Sequence, residues 1–337
     1  MHRTSTDQTG NDPPPFLITI DTEGDNLWRQ TTKTITTDNA QFLPRFQSLC
    51  ESYGLRPTYL TDYEMATAKS FQEFGRDILA RNVGEIGMHL HAWNTPPLIP
   101  LTKNDYLNKP YLIEYPTNVI REKIAFMTRL LKDTFSVKII SHRSGRWGLN
   151  STYARLLLDH GYRIDCSVTP YTNWRSNLGD PAQNGGTDFS NFPGNAYFMD
   201  LDDIRLPGDS LLLEVPVTIL PRHIRIRQAM FPFLKKTPMG LRGLDYVLRT
   251  YWLRPTGKNL TNLLGIVRHV LHHECTHLEF MLHSSELMPG GSPSFATAEA
   301  IERLYDHLNV LFASTRGKFK PATLNEYYES VLRTKEK

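Results

Sequence analysis

The chain has 337 residues, 40% of them hydrophobic and 22% charged, with a net charge of +3. That length carries one large α/β domain or two ordinary ones, in the composition range of a globular protein. The balance excludes a strong pull toward nucleic acid, and no apolar run approaches the ~18 residues that a membrane-spanning helix needs. Three cysteines (Cys50, Cys166, Cys275) are too few and too scattered for a disulfide framework, which fits a reducing compartment. Residues 1–15 are polar, lack the apolar region of an export signal and read as a disordered lead-in. A cytoplasmic location is the expectation.

Phe16 to Ile20 is a short apolar, partly β-branched run and predicts a buried strand. It ends on three carboxylates, Asp21, Glu23 and Asp25. The spacing predicts a helix over Asp38–Tyr53, a strand over Pro57–Thr61 and a helix over Ala66–Ala80. A strand follows at Glu85–His91, then a proline-containing loop over 94–116. An amphipathic helix spans Thr117–Phe135, with Ile120, Ile124, Met127, Leu130 and Leu131 on one face. Val137–Ser141 reads as a strand, Ser151–His160 as a helix and Arg163–Val168 as a strand. A polar excursion runs from Tyr171 to Gly208. Leu211–Ile219 predicts a sixth strand, Asn259–His272 a helix, Leu278–His283 a seventh strand and Thr297–Phe312 a closing helix. Strands alternating with helices predict parallel βαβ units. About seven such units suggest a barrel, here one domain over 16–337 with insertions near 94–116 and 171–256.

The polar clusters fall at strand ends, where the loops of a barrel converge on one mouth. Asp21 and Glu23, at i and i+2 of an extended chain, share a face. Two carboxylates that close need a cation or a shared proton, although a solvated acidic turn gives the same pattern. His89 and His91 also share a strand face, so both can ligate one ion. Two imidazoles and one carboxylate leave a coordination position open, as catalytic zinc sites do. Arg143 and Arg146 flank glycines in Ser141-His-Arg-Ser-Gly-Arg-Trp-Gly148, and Arg143 is placed to pair with Asp21. Asp165 is a candidate to orient a histidine, with His283 as its natural partner. His273-Glu-Cys-Thr-His277 matches the H-E-x-x-H zinc-protease pattern. That chemistry needs both histidines on one helical face. The second half runs into a strand, so a solvated helix-to-strand junction is expected instead. From Pro221 to Pro255 eight Lys/Arg stand against one acid, interleaved with aromatics. Such a stretch fits an anionic lipid surface, an acidic glycan carrier or a solvated insertion.

Taken in order, Asp21-Thr-Glu-Gly-Asp25, His89-Leu-His91, Arg143-Ser-Gly-Arg-Trp-Gly148, Asp165-Cys-Ser167 and His283-Ser-Ser-Glu286 resemble the five motifs of the polysaccharide deacetylases, the NodB-homology domain. The WalW-like branch of carbohydrate esterase family 4 is the nearest in look. The resemblance covers about residues 16–290 and implies an α/β fold, a distorted (β/α)7 barrel, with a divalent metal, usually zinc. By position it implies Asp21 as catalytic base, Glu23, His89 and His91 as metal ligands, and Arg143 as the arginine that orients the base. Asp165 stands as partner of the acid and His283 as general acid. Thr22 replaces the second aspartate of better-known members, which turns the ligand role to Glu23 with Asp25 in reserve. The two histidines are two apart rather than four, and Trp93 holds the usual second position. Trp93, Arg146, Trp147 and Glu286 are the expected substrate-binding residues.

The implied reaction is hydrolysis of an N-acetyl group on a sugar or glycan precursor, nucleotide- or lipid-linked, with peripheral membrane contact through 221–255. Two alternatives stand beside it: a metal-dependent glycosidase on a similar barrel, and a non-catalytic saccharide-binding protein with a degenerate site.

Overall fold

The computed structural model describes residues 13–25, 27, 35–175, 185–222 and 249–335. The lead-in up to residue 12 and most of the basic stretch 221–255, with its expected membrane contact, lie outside the described residues. Among the described residues no helix is long and apolar enough to cross a membrane.

The apolar run after the prolines becomes β1 (Pro15–Thr22), buried from Phe16 onward. It sits at the middle of the fold because it takes three parallel partners. One edge pairs with β10 (Leu278–His283), from Phe16↔Leu278 to Asp21↔His283. The other edge is shared: β11 (Lys320–Ala322) takes Pro15–Leu17 and β2 (Thr58–Thr61) takes Thr19–Thr22. The parallel sheet continues through β3 (Glu85–Leu90), β4 (Ser141–Ser144), β5 (Ile164–Asp165) and β7 (Leu213–Glu214), with β6 (Tyr197–Phe198) antiparallel at the far edge. A separate hairpin joins β8 (Ile219–Pro221) to β9 (Thr250–Trp252).

Among the described residues, the seven parallel strands from β10 to β7, with β11 added beside β1, thus curl into a distorted (β/α)7-type barrel, as expected. The seam is not a strand ladder. After β7 the Thr218 N–H donates to the Glu279 carbonyl (3.4 Å), and the Glu279 N–H donates to Thr218 Oγ1 (2.8 Å). Pro216 explains why the expected strand over Leu211–Ile219 breaks there: it has no N–H to give a ladder.

The helices among the described residues are α1 (Leu43–Ser52), α2 (Tyr63–Thr67), α3 (Lys69–Ala80), α4 (Asp105–Asn108), α5 (Thr117–Phe135), α6 (Ser151–Asp159), α7 (Leu260–His272), α8 (Ala298–Thr315) and α9 (Leu324–Lys335). Their apolar faces pack on the barrel; Phe312 of α8 sits edge-on to Phe16, Phe46 and Phe280. The helix expected over Ala66–Ala80 is two. It starts early because the Asp62 side chain accepts the Met65 N–H (2.8 Å), and it breaks at Ala68, whose backbone is extended. The fourth strand lies at Ser141–Ser144 rather than Val137–Ser141. Its polar residues are all buried with hydrogen-bond partners, so the ladder forms on them. β11 and α9 were not expected.

Candidate metal centre and active site

Strand register assembles this site. Parallel pairing sets Asp21 of β1 beside His283 of β10, and His89 of β3 beside Arg143 of β4. Glu23, the residue that follows β1, is held in place by its backbone: its N–H donates to Ser284 Oγ (3.1 Å) and its carbonyl accepts from Asn39 Nδ2 (2.8 Å). The next residue, Gly24, donates its N–H to Asp62 (3.0 Å). The Glu23 carboxylate then meets both imidazoles, 2.9 Å from His91 Nε2 and 3.4 Å from His89 Nε2. Among the described residues, Glu23, His89 and His91 are the one group whose donor atoms gather within 4.8 Å of one another.

The donor set fits a divalent ion. The Nδ1–H of His89 donates to the Arg143 carbonyl (3.1 Å), which fixes the tautomer and leaves the Nε2 lone pair facing Glu23. Two neutral imidazoles and a carboxylate suit zinc. His91 is seated against Gly145, where any Cβ would come 2.6 Å from its Nδ1. Asp25 is not part of this group. It accepts hydrogen bonds from Thr36 Oγ1 and from the Asp38 (2.6 Å) and Asn39 N–H groups, capping the short 3-10 turn Asp38–Phe42. A carboxylate spent on a helix end cannot also reach the imidazoles, so the reserve-ligand expectation is corrected.

Beside the cluster, Asp21 is clamped. Arg143, buried completely, donates from Nη1 to Asp21 Oδ1 (2.6 Å), from Nε to the Cys166 carbonyl (2.9 Å), and from Nη2 to Thr19 Oγ1 (2.9 Å) and Glu279 Oε1 (2.5 Å). Burial alone would raise the Asp21 pKa; the Arg143 charge, with His89 and His283, outweighs it and lowers it. Its second oxygen lies 3.7 Å from His283 Nε2, which is also 3.8 Å from Glu23.

Asp165 does not meet His283. In the β4–β5 register it stands opposite His142 and binds it, Nδ1 to Oδ1, at 2.6 Å. The far nitrogen of His142 bonds the Tyr153 hydroxyl of α6 (2.8 Å). Side chains alternate along a strand, so His142 and its partner face the helix layer while Arg143 faces the barrel interior. The partner of His283 is Glu286, through Nδ1 (3.1 Å) and through the His283 N–H (2.9 Å). Glu286 is 2% exposed and its other oxygen accepts from Arg254 (2.9 Å). It therefore orients the histidine, and the expectation that it touches substrate is corrected. Burial would raise its pKa, but Arg254 and His283 hold it at about 2.

Asp21, Glu23, His89, His91 and His283 open into a cavity of about 350 Å³, walled by Trp93, Tyr106, Tyr111, Trp147 and Trp174, with Arg146 and Arg254 at its sides. The volume falls within the usual small-ligand range. No protein-family profile and no curated protein sequence matches the chain. Solved structures do. One, described as a candidate polysaccharide deacetylase from Mycobacterium smegmatis, superposes with a TM-score of 0.57 at 14% identity, over 97% of this chain and 93% of its own. Another, a candidate glycoside hydrolase/deacetylase from Parabacteroides distasonis, gives 0.60 at 10% identity, over 95% and 72%. A 4-alpha-glucanotransferase from Thermococcus litoralis gives 0.51 at 11%, over 94% and 40%. The fold is the polysaccharide-deacetylase barrel.

Within that barrel the H-E-x-x-H segment is a junction, as expected, since α7 ends at His272 and β10 starts at Leu278. It is not solvated throughout. His277 is buried, donates from Nε2 to the Pro216 carbonyl (2.7 Å), and is pushed down to about 4 by burial. Tyr106, Tyr111 and Trp174 escaped the sequence reading, and Arg254 and Glu279 were not read as parts of this site. Glu279 alone had a signal: a lone acid in an otherwise apolar strand implies a buried cation to meet it.

Proposed function

We propose that the protein is a metal-dependent deacylase of the polysaccharide-deacetylase family, hydrolysing an acyl group, most simply N-acetyl, from a sugar. The observation that carries this is the convergence of Glu23, His89 and His91 beside an arginine-clamped Asp21 and a carboxylate-oriented His283, in one aromatic-walled cavity. Bound by the three ligands, a zinc ion would supply Lewis acidity, lowering the pKa of water toward about 7 and polarising the acyl carbonyl. Asp21, ionised because Arg143 holds it so, takes the proton of the attacking water on the oxygen that faces His283. His283 delivers a proton from Nε2 to the leaving amine, while Glu286 stabilises the imidazolium from Nδ1. The tryptophan and tyrosine walls stack the sugar ring and keep water out. The substrate is an acylated sugar or glycan.

The test is acetate release from N-acetylated oligosaccharides by zinc-loaded protein. Asp21→Asn should abolish it with the metal content unchanged. A folded Asp21→Asn protein that still turns over would remove Asp21 from its role. Release of reducing sugar without acetate would instead favour the glycosidase reading.

A further inference from the structure

Two arginines side the cavity, and they differ in what they meet. Arg254 is answered by Glu286. Among the described residues Arg146 meets rings and no carboxylate: its guanidinium lies 5.4 Å from the Trp93 ring centre and 5.0 Å from that of Tyr106. The indole N–H of Trp93, buried beneath it, also has no acceptor among the described residues. The other charges of the cavity are accounted for, Asp21 by Arg143 and Glu23 by the imidazoles and the ion they would share.

The backbone is bent to put Arg146 there. Arg146 and Trp147 have φ of +54° and +61°, the left-handed region, in two successive residues that carry a Cβ. Such a conformation is strained for a residue with a Cβ and persists where the surroundings over-determine it, as at ligand clamps. A guanidinium held between the perpendicular Trp93 and Tyr106 rings is restrained while its N–H fork stays without an anionic partner among the described residues. That fork matches a carboxylate or phosphate in bidentate fashion.

We propose that the sugar bound in this cavity carries an anionic group, a carboxylate or a phosphate, which pairs with Arg146. The inference names the substrate class of the deacylation site and so rests on that reading. It is tested by kcat/KM of the zinc-loaded enzyme on N-acetylglucosamine, N-acetylmuramic acid and N-acetylglucosamine 1-phosphate, which offer no charge, a carboxylate and a phosphate. One anionic sugar should be preferred over the neutral one. Arg146→Gln should lower that anionic-to-neutral ratio roughly 10- to 100-fold, as loss of a charge-assisted hydrogen bond does, and Arg146→Lys should restore part of it. No preference, or a preference that survives Arg146→Gln, overturns the proposal. If none of the sugars releases acetate, the deacylation reading fails, and calorimetric binding of the same three sugars still decides this one. Tighter binding of an anionic sugar that is lost in Arg146→Gln supports it, and equal binding overturns it.

Discussion

His142 and His283 each lie against a buried carboxylate, at 2.6 Å from Asp165 and 3.1 Å from Glu286. By residue type the pairs are nearly interchangeable. Their far nitrogens separate them: that of His142 is stopped by the Tyr153 hydroxyl in the helix layer, whereas that of His283 faces Asp21 and Glu23 across the cavity. A histidine–carboxylate pair is therefore a fastening in one place and, in the proposed function, a proton-transfer element in the other, and strand face decides which.

Substituting each histidine should separate the two roles most clearly. His283→Gln should lower kcat by roughly 10²- to 10⁴-fold, the range for a lost general acid, with a melting temperature near that of the parent. His142→Leu should do the reverse. Burial keeps His142 neutral, and Asp165 retains the Ser167 N–H and hydroxyl as donors, so loss of this one buried hydrogen bond costs roughly 1–3 kcal/mol, seen as a lower denaturation midpoint, with little change in kcat of the folded fraction. Equal effects of the two on kcat would erase the distinction drawn here.

A smaller effect is expected one step back. Glu286→Gln should cut kcat roughly 10- to 100-fold, the scale of a misaligned catalytic group, and leave KM nearly alone; a change in KM instead would return Glu286 to substrate binding. The same variant carries a pH signature. The folded-state pKa of Glu286, about 2, lies below the ordinary 4.5. Its stabilisation is therefore complete above about 4.5 and is lost as pH falls toward 2. The amount is roughly 3 kcal/mol at 1.36 kcal/mol per unit. Acid unfolding of Glu286→Gln should show a shallower loss of stability across that window, measured by denaturant titration at stepped pH.

The motifs could be read from the sequence because they are local. Asp21-x-Glu23 and His89-x-His91 declare a shared face by spacing alone, and their order along the chain foretold the barrel. What stayed hidden depends on register and on distance. Arg143 and Glu279 are 136 positions apart, and nothing in either segment names the other. Asp165 looked free to reach His283 because spacing does not say which neighbour a two-residue strand will face. Asp25 read as a ligand because the turn it caps begins thirteen residues later, at Asp38. β11 was missed because Lys320–Ala322 is too short, and too proline-bearing, to look like a strand.

The central claim is that Glu23, His89 and His91 hold one ion between them. Zinc titration of chelator-stripped protein, followed by calorimetry and elemental analysis, tests it directly. The account predicts stoichiometric binding that is lost in His91→Ala and in Glu23→Gln while both variants remain folded. Protein that takes up no zinc, or variants that bind it as tightly as the parent, would contradict the account.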